Sequence, residues 1–182
     1  MMQKQQSSSS VPAGFRQVED GRIREVVGLG LDDLVPGLII EHRPARTVLE
    51  AEHVQFLALM GNEAPVHSDI EYCRRTGNPR VLVCGMLTLN IVLGMTVRTT
   101  SGMTTGNLAL DEVSWKKPVH VGDTLSARST VLSARRSGSR PDQGIVTCRV
   151  DGFNQRGELV VTSTRTFFVP ADPDVVRDAT GY

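Results

Sequence analysis

Gly85-Met86-Leu87-Thr88-Leu89-Asn90-Ile91-Val92-Leu93-Gly94-Met95-Thr96-Val97 is the most apolar stretch of the 182-residue chain, and the architecture follows from it. Met86, Leu87, Leu89, Ile91, Val92, Leu93, Met95 and Val97 occupy the whole circumference of a helix, and a helix apolar on all sides is buried rather than laid on a surface. Thr88, Asn90 and Thr96 interrupt the run. It also falls short of the roughly 20 residues needed to span a bilayer. The sequence therefore predicts a helix that opens at Gly85 and lies at the centre of a folded body.

The chain that follows supplies its cover. Leu125, Ala127 and Val131 alternate with Ser126, Arg128 and Thr130, and Val146, Cys148 and Val150 alternate with Thr147, Arg149 and Asp151. That period of two marks half-buried strands. Within Asn107–Trp115 the alternation changes parity, which predicts a bulge at Asp111-Glu112. Asn154-Gln155-Arg156-Gly157 reads as a turn before a long last strand over Leu159–Val169. Short turns between successive strands give a mainly antiparallel sheet. One buried helix beside one long sheet has a single economical solution, in which the sheet curls around the helix. The fold class is α+β, with the hotdog architecture. Such a sheet keeps an open edge, so a homodimer or a higher homo-oligomer is expected.

Upstream, Thr47-Val48-Leu49-Glu50 has capping-box spacing, with Val54, Leu57 and Ala58 then on one helical face. Ser68-Asp69-Ile70-Glu71 repeats the spacing before a short helix predicted to stop near Gly77. Residues 1–25 are rich in Gln, Ser and charge and read as a disordered extension; residues 26–170 form the domain, and 171–182 a trailing tail. No apolar segment near the N-terminus marks a secretory signal, and the location expected is cytoplasmic.

Composition narrows the partner. Lys plus Arg number 20 against 20 Asp plus Glu, and aromatics are 4% of residues, so neither a polyanionic surface nor a base-stacking platform is expected: no nucleic acid and no membrane. Cys73, Cys84 and Cys148 have neither CxxC spacing nor an even count, which fits reduced thiols and gives no zinc knuckle. His42, His53 and His120 show no metal-ligand spacing and read as surface or core residues; no metal is expected. Gly28-Leu29-Gly30 begins like a dinucleotide fingerprint, but Asp33 stands where the third glycine belongs.

The chemistry concentrates in Gly61-Asn62-Glu63-Ala64-Pro65-Val66-His67-Ser68-Asp69, followed at a distance by Val83-Cys84-Gly85-Met86-Leu87. Here the chain resembles the MaoC-like hydratase/dehydratase family, whose pattern is Gly-Asp-x-Asn-Pro-x-His-x-Asp and then Gly-Met-Leu at the start of the buried helix. The resemblance runs from about Gly30 to Pro170. It is nearest to the mesaconyl-CoA and itaconyl-CoA hydratase branch through Asn107-Leu108, Asp111-Glu112-Val113, Lys117-Pro118, Gly122-Asp123-Thr124-Leu125, Ser139-Arg140-Pro141, Gly144-Ile145-Val146-Thr147 and Asn154-Gln155-Arg156-Gly157-Glu158. Two positions depart from the wider pattern: Asn62 replaces the catalytic Asp, and Ala64 replaces Asn. An amide cannot take a proton from water; it only positions one.

The resemblance implies hydration or dehydration of a short branched enoyl-CoA, with a C5 dicarboxylic acyl group as the specific expectation. Coenzyme A then enters as part of the substrate, and no other cofactor is implied. In that reading His67 is the base, histidine being the side chain that ordinarily titrates near neutrality. Asn62 orients the water or simply ends a helix, and Glu63 is the nearby carboxylate. The Gly85 N–H, at a helix N-terminus, polarises the thioester carbonyl, while its missing side chain lets the substrate approach or the helix pack closely. Cys84, Met86, Ser139 and Arg140 make up the expected substrate-binding set. Cys84 is a packing residue rather than a nucleophile, and Arg140 faces either the phosphates or a free carboxylate. Two other readings stay open: a hotdog thioesterase using Glu63, and a non-catalytic acyl-thioester-binding or dimerisation module.

Overall fold

The computed structural model describes residues 11–182. It begins with a hairpin of β1 (Phe15–Gln17) and β2 (Ile23–Glu25), followed by a tight helical turn over Leu31–Asp33. Then come β3 (Ile39–Thr47), α1 (Glu50–Met60), α2 (Pro65–Ser68), α3 (Ile70–Arg75) and α4 (Gly85–Thr96), the last prolonged by a π-helical turn over Val97–Ser101. Four strands complete the sheet: β4 (Asn107–Trp115), β5 (Thr124–Arg136), β6 (Gln143–Phe153) and β7 (Leu159–Pro170); α5 (Pro173–Thr180) closes the chain. The main sheet has the order β3-β5-β6-β7-β4, and every neighbouring pair is antiparallel.

α4 lies in the curl of this sheet, as its composition requires. Leu87, Leu89, Ile91 and Val92 are buried against Leu125, Ala127, Val131, Val146, Val150 and Val161. Gly152 permits the approach, because a Cβ there would stand 2.5 Å from Val92 Cγ2. Burial of α4 is not complete, however. Met86, Asn90 and Gly94 recur every four residues and form one exposed stripe. The bulge expected at Asp111-Glu112 is present, with Glu112 at φ 52° and a register shift between Asp111 and Ser114.

Both caps move from their expected positions. Thr47 belongs to β3, where its hydroxyl bonds Thr124 Oγ1 at 2.8 Å, so α1 starts at Glu50 and Glu52 Oε1 accepts the Leu49 N–H. Asp69, one residue after Ser68, is the N-cap of α3; its Oδ1 accepts the Tyr72 N–H at 2.9 Å. The termini differ from expectation as well. Residues 15–25 form the hairpin instead of a disordered extension, and α5 replaces a trailing tail. The two are tied together: Arg16 donates to Asp178 and to the Tyr182 carbonyl, and buried Arg177 donates to the Gly28 carbonyl at 3.0 Å. Gly30 packs on Pro173, where a Cβ would fall 2.6 Å from the ring Cδ, which gives the Gly28-Leu29-Gly30 segment a packing role. Residues 1–10 lie outside the described residues. Among the described residues no helix is long and apolar enough to cross a membrane.

Candidate active site

The segment after α1 is shaped by a Schellman ending. Gly61 adopts the left-handed conformation (φ 59°), its N–H bonds the Ala58 carbonyl, and the Asn62 N–H bonds the Leu57 carbonyl. Asn62 therefore lies one residue beyond the Gly61 cap. Its Oδ1 accepts the Ala64 N–H at 3.1 Å, a turn that sets Pro65 at the first position of α2, and its Nδ2 donates to Cys84 Sγ at 3.6 Å. This side chain links the motif loop to the entrance of α4.

α2 in turn aims His67. Its Nδ1 lies 2.8 Å from the Leu82 carbonyl oxygen, and a carbonyl can only accept. In the neutral imidazole the proton is thus on Nδ1, and Nε2 carries the free lone pair of a base. His67 lines two cavities. The first, of about 360 Å³, also has Gly85, Thr88, Trp115, Lys116 and Lys117 in its wall. The second, of about 560 Å³, has His53, Val54, Ala58, Asn62 and Glu63. Val54 and Ala58, which the spacing puts on one helical face with Leu57, form the apolar wall of that second cavity; the residues α1 buries in the core are His53 and Leu57.

The start of α4 is held by the side chains around it. Trp115 Nε1–H donates to the Gly85 carbonyl at 2.8 Å, and a Cβ on Gly85 would sit 2.7 Å from that nitrogen. The glycine is thus required by the indole, which explains the residue more fully than substrate approach alone. The Cys84 carbonyl accepts the Thr88 N–H at 3.1 Å, and the Cys84 N–H donates to His53 Nε2 at 3.3 Å. Among the described residues the Gly85 N–H has no partner. It projects from the N-terminus of a 12-residue helix, where the macrodipole favours negative charge. A free lone pair and a free N–H on one cavity wall are the minimum set for adding water across a double bond conjugated to a carbonyl.

The other expected residues divide. Glu63 is exposed on the second cavity beside His67. Cys84 is buried at 6% exposure, its thiol facing Asn62 and not a cavity, while Met86 is exposed on the outer stripe of α4; neither side chain lines the cavities around His67. Ser139 and Arg140 are not brought to the site. They lie in the turn after β5, whose 13 residues run away from the site end of the sheet for about 40 Å, and Arg140 stacks over the Phe168 ring at 4.7 Å. The cations at the cavity are instead Lys116 and Lys117. Reading the sequence missed them, together with Trp115 and His53; Lys117-Pro118 within the branch pattern was the one available signal.

Fold and site together define a hotdog protein with a histidine base candidate facing the N-terminus of its central helix. The family model for mesaconyl-CoA hydratase matches residues 11–181, and the chain belongs to that family. A mesaconyl-CoA hydratase of Cereibacter sphaeroides is 34% identical over 142 residues, covering 78% of this chain and 41% of that protein. Among solved structures, a putative MaoC domain protein dehydratase of Chloroflexus aurantiacus superposes with TM-score 0.76 at 28% identity, over 80% of this chain and 42% of the other. A MaoC-like dehydratase of Rhodospirillum rubrum superposes with TM-score 0.69 at 33% identity, over 80% of this chain and 99% of the other. The chain thus spans about two-fifths of the length of the curated relative and nearly all of the smaller dehydratase.

Proposed function

We propose that this protein is a hydro-lyase that reversibly hydrates a short branched enoyl-CoA, with a C5 dicarboxylic, mesaconyl-like acyl group as the preferred substrate. The observation that carries the reading is the pairing of His67 Nε2 with the unpartnered Gly85 N–H on one cavity. In the hydration direction His67 takes a proton from water as the oxygen bonds the β-carbon. The C=C electron pair moves toward the thioester, and the charge collects on the carbonyl oxygen against the Gly85 N–H. The enolate then collapses as the α-carbon takes back a proton from the His67 imidazolium. Asn62, unable to act as a base, orients the water with its remaining N–H. Lys116 and Lys117 place positive charge at the rim for the anionic groups of the substrate. No metal or redox cofactor takes part; coenzyme A arrives with the acyl group.

We further infer that the active form contains a second copy of the unit, as a homodimer or larger. The exposed Met86-Asn90-Gly94 stripe of α4 and the exposed Leu108 and Leu110 of edge strand β4 support this. A relative of nearly twice this length supports it too. The test of function is loss of the conjugated C=C absorbance of mesaconyl-CoA. His67→Ala should lower the rate on the order of 10²- to 10⁴-fold, the usual worth of general acid–base catalysis. An unchanged rate in that variant overturns the assignment, and free thiol released without loss of the C=C would replace hydration with thioester hydrolysis.

A further inference from the structure

We propose that His53 is a positioning residue of the reaction, holding the entrance of α4 so that the Gly85 N–H is directed at the substrate oxygen. The proposal rests on the hydratase reading and extends it to a histidine outside the motif that aims His67.

Three consecutive peptides meet at the start of α4, and each is held. Beginning upstream, the Val83–Cys84 peptide gives its N–H to His53 Nε2 at 3.3 Å. The Cys84–Gly85 peptide gives its carbonyl to the Thr88 N–H, and the Gly85–Met86 peptide gives its carbonyl to the Trp115 indole. The N–H of Gly85 lies between fixed peptides and, like the next two helical N–H groups of Met86 and Leu87, has no partner among the described residues. Cys84 has extended backbone angles (φ −54°, ψ 128°), so its N–H does not follow the helix axis. Unheld, it would be a further donor free to rotate beside the Gly85 N–H. His53 binds it and fixes the direction of the chain where helical geometry begins.

This duty requires a particular state of the ring. To accept an N–H, Nε2 must carry its lone pair, so His53 is neutral with its proton on Nδ1. The surroundings favour that state. His53 is 2% exposed, and burial together with His67, whose ring stands edge-on with centroids 6.3 Å apart, lowers its pKa, while Glu50 one turn earlier acts in the opposite direction. The two histidines therefore do different work. His67 has its lone pair free on the cavity, and His53 has its lone pair committed to the backbone.

Charge on the thioester oxygen exists only as the transition state is approached. A misdirected Gly85 N–H should then lower kcat and leave KM nearly unchanged. His53→Leu removes the acceptor at similar volume, and His53→Gln restores one, its Oε1 able to reach where Nε2 stood. The expected result with mesaconyl-CoA is a loss of about 30-fold in kcat for His53→Leu with KM within threefold, and His53→Gln within threefold of wild type in both. Equal losses in the two variants, a change confined to KM, or wild-type kcat in His53→Leu overturns the proposal. If His53→Leu does not fold, His53→Gln is compared with His53→Asn, whose shorter side chain cannot reach Cys84; the split between them is the same test. Failure here leaves the His67→Ala result untouched, so the two readings fall separately.

Discussion

His42 lies on β3 with both ring nitrogens engaged, Nδ1 with Thr99 Oγ1 at 2.7 Å and Nε2 with Ser129 Oγ at 2.8 Å. Hydroxyls serve either protonation state, so the hydrogen bonds do not choose between them. Desolvation does: the ring is fully buried, and its pKa falls from 6.5 to about 4. Between those values the unfolded chain binds a proton that the folded protein refuses, so stability falls as pH falls from about 6.5 toward 4. The loss from this one group should reach about 2 kcal/mol by pH 5. Urea unfolding at pH 7 and pH 5 measures it, and His42→Gln, which cannot titrate, should lose about that much less between the two. Equal losses in both proteins would assign the pH dependence elsewhere. His42 and His53 both read as surface or core from sequence, because an isolated histidine carries no periodic signal to separate a core ring from one that holds a functional backbone.

At the scale of elements, the start of α4 depends on the end of β4. Trp115 and Gly85 are 30 residues apart, yet the indole fills the space that any side chain at 85 would need. Gly85→Ala should displace the indole and disturb the N–H beside it, with kcat down about 100-fold, comparable to loss of an oxyanion donor. Turnover together with tryptophan fluorescence checks both halves of that statement. The helical N-termini carry a smaller, cleaner prediction: Asp69→Ala removes the cap of α3 and should cost about 1 kcal/mol in denaturant unfolding, whereas Ser68→Ala, whose hydroxyl reaches the Ala64 carbonyl only at 3.4 Å, should cost less. Spacing alone placed both capping boxes a residue or more too early. Thr47 matched the pattern, but its hydroxyl was already committed to Thr124 across the sheet.

For the whole molecule, the open features are on one side of α4 and on the β4 edge. Gly94 stands at the C-terminal end of the exposed stripe, with nothing within 4 Å of a Cβ built on it. Gly94→Arg should therefore leave the fold intact while placing a charge in the contact between copies. Sedimentation should find the wild-type protein dimeric or larger and Gly94→Arg shifted to monomer with an unchanged circular dichroism spectrum; a wild-type monomer, or a variant that still assembles, would place the contact elsewhere.

The sequence by itself determined the buried helix, the antiparallel sheet curled around it, the bulge at Asp111-Glu112 and the placing of His67 ahead of Gly85. Each of these is written in local periodicity, in turn residues or in a short motif. Tertiary structure alone decided which groups meet there. His53 and Cys84 are 31 residues apart, Trp115 and Gly85 are 30, and Arg140 is carried to the far end of a strand that begins beside the site. Such meetings depend on strand register and on the angle at which a helix enters a sheet, quantities set by the packing of the whole core and not by any window of residues.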